Sequence, residues 1–379
     1  MGHMTHRART HRTLRATCAT CATLITATGL VACGDGGNGA SERETVEIPT
    51  TVTVTADPKD LPSSFNHYVA LGDSYAAMGS AEGPFEGPPF CARSADNYPH
   101  QLAKIYTGIN EKRGFTDASC QGATTEHIAG KRDHSGEDIP KEVQAVLSTS
   151  ASASTSASAS TSTSSSSAST NTSTSTQRSS TSTSTSTSES AASSILDPQI
   201  DALEPDTDLI TLSIGGNDVN FGPWSRCITA MLEGREEEAC DENLYDSTAR
   251  ALVDLPGRLD KIYARIREKA PDATIIATGY MPLMSMQDEC EDTGDLPSGS
   301  LNWAAGITVT MNAMVRDAAL RNGALYVLPA AADFHSVCAP ANERWTDITG
   351  EETHSFAAHP TPAGQKAMAE AIAETLRKL

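Results

Sequence analysis

The sequence predicts an α/β protein, a parallel β-sheet covered by helices on both faces. Two observations predict it. Short apolar runs alternate along the chain with longer helical patterns. The residues with chemical potential also fall just past the carboxyl ends of the apolar runs, where ligand sites lie in such folds. In chain order, Tyr68-Val69-Ala70-Leu71 is the first strand, and residues 97–106 form the first helix. The run 209–214 is the second strand. Residues 248–269 follow as a helix, because Leu252, Leu255, Leu259, Ile262 and Ile266 recur at three- and four-residue steps. Pro256-Gly257 is expected to kink or split it. Residues 274–278 and 324–328 are the remaining strands, each next to the helix at 302–321. A last helix spans 362–379, with Pro362 suited to its first turn.

Of 379 residues, only about 270 are able to build a compact body, which suits one large domain. Residues 1–33 have the anatomy of a signal peptide: basic Arg7, Arg9, Arg12 and Arg15, then a mildly apolar run ending in small residues. That run is short and studded with Thr, unlike a permanent membrane span. Leu30-Val31-Ala32-Cys33 resembles a bacterial lipoprotein signal, in which Cys33 is acylated and anchors the chain. Cys18 and Cys21 lie inside the discarded segment and are disregarded. Residues 34–63 read as a flexible tether. Residues 148–194 are Ser, Thr and Ala apart from four positions, with nothing large to bury, and read as a disordered insert within the 64–379 domain. A long flexible insert costs little in loop-closure entropy.

Lys and Arg number 28 against 48 Asp and Glu, a formal charge of −20. Such a surface repels phosphate backbones, which excludes nucleic-acid binding. Six cysteines remain after the leader: Cys91, Cys120, Cys227, Cys240, Cys290 and Cys338. None has zinc-ligand spacing. In an exported chain they point to disulfides, and of the fifteen connectivities the sequential one (91–120, 227–240, 290–338) is expected because each bridge closes a local loop.

Four motifs carry chemistry. Gly72-Asp73-Ser74 follows the first strand directly, which holds Ser74 exposed at a tight strand-to-helix turn. Background frequencies put this triplet in roughly one chain in ten of this length, so alone it is weak. Gly215-Gly216-Asn217-Asp218 follows the second strand, where paired glycines permit a sharp turn and Asn217 offers an amide donor. An ordinary turn favours the same residues. His359-Pro360 precedes the last helix, with His354, His335 and His127 as rivals. Gly122, in Cys120-Gln121-Gly122-Ala123, has a backbone N–H free to approach an oxyanion.

In this order and spacing the four motifs resemble the SGNH (GDSL-type) hydrolase family, and within it the disulfide-bearing actinobacterial secreted esterases and lipases. The resemblance runs from about Asn66 to the C-terminus, with the Ser/Thr run as an insertion. It implies a three-layer α/β/α sandwich around a five-stranded parallel sheet (the flavodoxin-like SGNH fold), no metal and no other cofactor. It also implies the sequential disulfides. Ser74 is then the nucleophile and His359 the general base, with Ser74 N–H, Gly122 N–H and the Asn217 amide as the oxyanion hole. Many members place an Asp three residues before the catalytic His, where this chain has Phe356. A Ser–His dyad is therefore expected, its imidazole oriented by the carbonyl of Phe356 or a neighbour, with Asp347, Glu351 and Glu352 the nearby carboxylates.

The expected function is a secreted, lipid-anchored serine esterase or lipase at the outer face of the cell membrane. The expected partners are an ester substrate and the membrane, with the chain a monomer. The alternatives are a phospholipase or polysaccharide O-acetylesterase of the same fold, or a non-catalytic envelope lipoprotein that binds a ligand. No long exposed apolar lid is evident, which favours small or medium acyl groups.

Overall fold

Five parallel strands form the central sheet of the computed structural model. They are β1 (Tyr68–Gly72), β2 (Phe115–Asp117), β3 (Leu209–Ser213), β4 (Thr274–Thr278) and β5 (Leu325–Val327). Their order is β2-β1-β3-β4-β5, with Tyr68 paired to both Phe115 and Leu209, Leu209 to Thr274, and Ile276 to Leu325. The structure describes residues 64–158 and 194–379, apart from 107, 110–113, 233–234, 236–242, 287, 289, 291–292, 295 and 297. All lie in the compact unit Ile48–Leu379. The expected signal peptide, Cys33 and the tether are outside the described residues.

Side-chain alternation along the strands builds two cores. Val69, Leu71, Ile210, Leu212, Ile275 and Ala277 face one way. There they meet α6 (Leu244–Lys269) through Leu255, Leu259, Ile262 and Ile266, and α7 (Ser298–Arg321) through Met311 and Val315. Tyr68, Ala70, Leu209 and Ile276 face the other way, onto α2 (Tyr98–Ile105) and α8 (Pro362–Arg377), which offer Leu102, Met368 and Ile372. This is the three-layer α/β/α sandwich with a five-stranded parallel sheet. Strand order reverses between β1 and β3, which opens a crevice beyond their carboxyl ends. The further helices are α1 (Ser74–Ala77), α3 (Thr125–Ala129), α4 (Lys141–Ser158) and α5 (Phe221–Leu232).

Several sequence expectations need correction. The edge strand β2 went unpredicted, because its Phe115, Thr116 and Asp117 are half-buried or exposed and carry no apolar run. Helix α6 passes through Pro256-Gly257 without a break and begins at Leu244, four residues early. Its seam of buried Leu255, Leu259, Ile262 and Ile266 holds the segments on either side of the proline to the same sheet face. Residues 148–158, assigned to the flexible insert, continue α4 as helix. Extending an existing helix is far cheaper than nucleating one, and this stretch alternates Ala with Ser and Thr. Residues 159–193 are outside the described residues. The chain re-enters at Ile195–Leu196, paired antiparallel with Arg132–Asp133.

Two expected disulfides are formed, Cys91–Cys120 and Cys290–Cys338. Cys227 is also disulfide-bonded, while Cys240 is outside the described residues. Among the described residues, no helix is long and apolar enough to cross a membrane.

Candidate active site

Ser74 is the first residue of α1, one turn beyond β1. The turn is tight because Gly72, at φ +150, runs so close to β3 that a Cβ there would lie 2.5 Å from the Ser213 carbonyl oxygen. Gln199 clasps the same glycine, accepting from its N–H at 2.7 Å and donating to its carbonyl at 2.8 Å. Asp73 caps α1 by accepting from Tyr75 N–H at 3.0 Å. Its other carboxylate oxygen accepts from the Tyr280 hydroxyl at 2.5 Å, and that hydroxyl accepts from Gly216 N–H at 2.9 Å. Burial raises the Asp73 pKa to about 7, against the opposing pull of the Tyr280 bond.

The loop after β2 carries Gly122. Cys120 N–H donates to the Gly72 carbonyl at 3.0 Å, and the Cys91–Cys120 bridge holds the loop from the far side. Gly122 sits at φ +69, and a Cβ would meet the Arg132 guanidinium at 2.7 Å, so both conformation and space require glycine. Arg132 donates to the Gln121 carbonyl and to Glu137, which fixes the backbone just before Gly122.

Asn217 follows β3 and donates its side-chain amide to the Ala123 carbonyl at 2.9 Å. Next to it, the Asp218 carboxylate accepts from Thr125 N–H at 2.8 Å and Thr125 Oγ1 at 2.6 Å. Those bonds join the loops after β2 and β3 along one rim of the crevice.

His359 arrives from the other end of the chain. Thr346–Asp347 and His359–Pro360 pair antiparallel and hold it just before α8. Its Nδ1 lies 2.7 Å from the Ala357 carbonyl oxygen, which can only accept, so Nδ1 carries the proton and Nε2 is the basic nitrogen. The half-buried ring lies 5.8 Å from the rings of both Tyr75 and Phe221, centroid to centroid. Burial lowers its pKa to about 4, offset in part by the Ala357 carbonyl. The Phe356 carbonyl is not the orienting group. It accepts from His359 N–H at 3.2 Å, while Ala358, at φ +61, turns the Ala357 carbonyl onto the imidazole.

The structure thus gathers Ser74, Gly122, Asn217 and His359 at the carboxyl ends of β1, β2 and β3. Ser74 and His359 are neighbours across Tyr75, and the hydroxyl and imidazole do not hydrogen-bond to one another. Gln365 of α8 secures this arrangement by donating to the carbonyls of Tyr75 and Met78 and accepting from Tyr98 N–H. The rival histidines have other duties. His354 pairs with Glu82 at 3.1 Å, His335 stacks on Trp345, and His127 completes the capping box of α3. Among the nearby carboxylates, Asp347 accepts from Thr353 at 2.8 Å, and Glu351 and Glu352 are exposed. None bonds the imidazole. Gln199, Tyr280 and Gln365 carry no sequence signal, since each is recognisable only by a partner far away in the chain. Among the described residues, one group of possible metal ligands, His67, Glu204 and Asp206, sits just before β1 and β3, at the opposite end of the sheet from Ser74.

The profile of the GDSL-like Lipase/Acylhydrolase family matches residues 160–367, which include the Asn217 and His359 motifs and more than half of the chain. Lipase 2 of Streptomyces coelicolor is 27% identical over 337 residues, 86% of this chain and 91% of that protein. A lipase of Streptomyces rimosus is 27% identical over 223 residues, 59% of this chain and 55% of its own length. Among solved structures, phospholipase A1 from Streptomyces albidoflavus superposes with a TM-score of 0.51 at 22% identity, covering 82% of this chain and 98% of that one. The extracellular lipase of Streptomyces rimosus gives 0.50 at 21% identity, covering 82% and 99%. Both share this chain's fold.

Proposed function

Because the chain belongs to the GDSL-like lipase/acylhydrolase family and is a carboxylic ester hydrolase, we propose that Ser74 is its nucleophile and His359 its general base. The Ser74 hydroxyl attacks the ester carbonyl as Nε2 of His359 takes its proton. A neutral imidazole is needed for this step, and a pKa of about 4 keeps it neutral down to mildly acid solution. The carbonyl oxygen, now an anion, is held by the backbone N–H groups of Ser74 and Gly122 and by the Asn217 amide. That amide spends one of its two hydrogens on Ala123, and the second remains for the oxyanion. Collapse expels the alcohol, which takes the proton back from the imidazolium. Water then attacks the acyl-enzyme along the same route and releases the carboxylic acid. The Ala357 carbonyl does the orienting that an acidic third member does in a triad, with a dipole in place of a full charge.

The observation that carries this reading is the Asn217–Ala123 hydrogen bond. It sets an amide donor against the residue that follows Gly122, which supports an oxyanion hole shared by the two. In purified protein, Ser74→Ala is expected to abolish hydrolysis of p-nitrophenyl butyrate and labelling by a fluorophosphonate probe. Retention of most activity, or labelling at another serine, overturns the assignment.

Export and lipid anchoring at Cys33 belong to the same proposal. They are supported by the leader motif and by disulfides of the kind that persist in oxidising compartments. Mass spectrometry of the mature N-terminus tests the anchor, and an unacylated terminus at any other residue contradicts it.

A further inference from the structure

A cavity of about 250 Å³ lies beside the loop that carries Gly122, bounded by residues 118–123, 88–93 and 196–202. The Cys91–Cys120 bridge forms part of its wall, and Pro88, Ala118, Leu196 and Ala202 make much of the rest apolar. None of Ser74, Asn217 and His359 lines it.

Arg93, Arg132 and His127 bring nitrogen donors to this wall. Arg93 donates its Nε to the Ser119 carbonyl at 2.6 Å, and among the described residues its two terminal nitrogens have no hydrogen-bond or ion-pair partner. Burial pulls its pKa below the ordinary arginine value, against the opposing pull of Asp117 and Glu86. Arg132 is 5% exposed; it donates to the Gln121 carbonyl and to Glu137, and its Nε is buried without a partner. His127 accepts from Thr124 N–H at 3.1 Å through Nδ1, so Nε2 carries the proton and is a further donor. The exposed carboxylates of the lining are answered by lysines, Asp197 by Lys131 at 3.3 Å and Asp201 by Lys269 at 3.1 Å.

A half-buried guanidinium with both terminal nitrogens unspent matches a planar oxyanion. A phosphate needs donors on every side and would leave oxygens against Pro88 and Leu196, whereas the short hydrocarbon tail of a carboxylate loses nothing there. Ester hydrolysis releases carboxylates. We propose that this cavity binds the carboxylate of a short-chain organic acid, its head on Arg93 and His127 and its tail against Leu196 and Ala202. The identity of the occupant rests on the ester-hydrolase reading; the site itself does not. Because Arg93 and Arg132 each hold a carbonyl of the same loop, at Ser119 and Gln121, the occupant bears on the segment that presents Gly122.

The test is calorimetric titration of butyrate into purified protein whose Ser74 is blocked by a fluorophosphonate, so that product binding at the candidate active site is excluded. Saturable binding is expected to persist. Arg93→Gln is expected to weaken it by about tenfold or more, through the loss of charge-assisted hydrogen bonds. Leu196→Trp keeps both arginines, fills the cavity and is expected to abolish binding without lowering the melting temperature. Binding that disappears when Ser74 is blocked, or that is unchanged in both variants, overturns the cavity assignment. Tighter binding of inorganic phosphate than of butyrate overturns the choice of a carboxylate. A protein that neither hydrolyses p-nitrophenyl butyrate nor takes the label overturns the Ser74 reading alone, and the two variants then decide the cavity on the unlabelled chain.

Discussion

Gln365 donates its side-chain amide to the carbonyl oxygen of Tyr75 at 3.0 Å and so fastens α8 to the turn that presents Ser74. The same fully buried side chain accepts from Tyr98 N–H at 2.7 Å and so reaches α2 as well. Gln365→Leu keeps the volume and removes every one of these bonds. A buried polar group left without a partner costs about 1–3 kcal/mol, and three are orphaned here. A loss of ~3 kcal/mol in urea unfolding is expected, together with reduced turnover on p-nitrophenyl butyrate. Wild-type stability in the variant contradicts the fastening role.

Tyr280→Phe removes one oxygen that serves two loops, since it donates to Asp73 and accepts from Gly216 N–H. The expected cost is ~2 kcal/mol, measured by urea unfolding. Because the Tyr280 bond lowers the Asp73 pKa, its removal raises that pKa further above about 7. Asp73 then stays protonated to higher pH than in the wild-type protein, which the carboxyl signal in isotope-edited infrared spectra reads directly.

Asn217→Ala deletes the amide donor and its bond to Ala123. Loss of one oxyanion-hole donor lowers kcat by ~10²–10³, with little change in KM, because the bond is strongest to the transition state. A raised KM at unchanged kcat removes Asn217 from that role.

The pH dependence follows from His359. On the proposed roles the imidazole acts as base when neutral, and burial lowers its pKa from 6.5 to about 4. The acid limb of kcat/KM is therefore expected near pH 4, not near 6.5. For stability the sign is the same, since the unfolded chain binds this proton more readily than the folded one. The contribution is fully present above pH 6.5 and is lost as pH falls towards 4. Asp73 acts oppositely: its pKa rises from 3.8 to about 7, so its contribution is full below pH 3.8 and lost as pH rises through 7. Asp73→Asn is expected to flatten the fall in stability between pH 4 and 7, as followed by thermal melts.

Reduction of Cys91–Cys120 releases the loop that ends at Gly122. For a separation of 29 residues, the loop-entropy account gives ~3.5 kcal/mol. Cys91→Ser is expected to lower the melting temperature and turnover together, since Cys120 N–H also braces Gly72.

Much of the sheet was legible because β1, β3 and β4 are buried on both faces, which forces continuous apolar runs such as Leu209-Ile210-Thr211-Leu212. Edge strand β2 had no such pressure and left no trace. The candidate site was legible where its geometry rests on local turn chemistry: Gly72 ahead of Ser74, the paired glycines before Asn217, and Pro362 after His359. The orienting carbonyl was assigned to Phe356 or a neighbour, and the neighbour Ala357 holds the imidazole because of the backbone angles at Ala358. Gln365, Tyr280 and Gln199 were invisible, since a buried amide or phenol reveals its partner only when distant loops meet.

Gln365 and Tyr75 stand 290 residues apart in sequence, and the contact between them joins the turn of Ser74 to the helix that follows His359. Synthesis delivers Ser74 early and His359 late. Throughout that interval a growing chain displays the hydroxyl with no base to activate it. On the proposed roles, activity is the final event of maturation and begins when α8 docks. A chain interrupted before then carries the hydroxyl without its base.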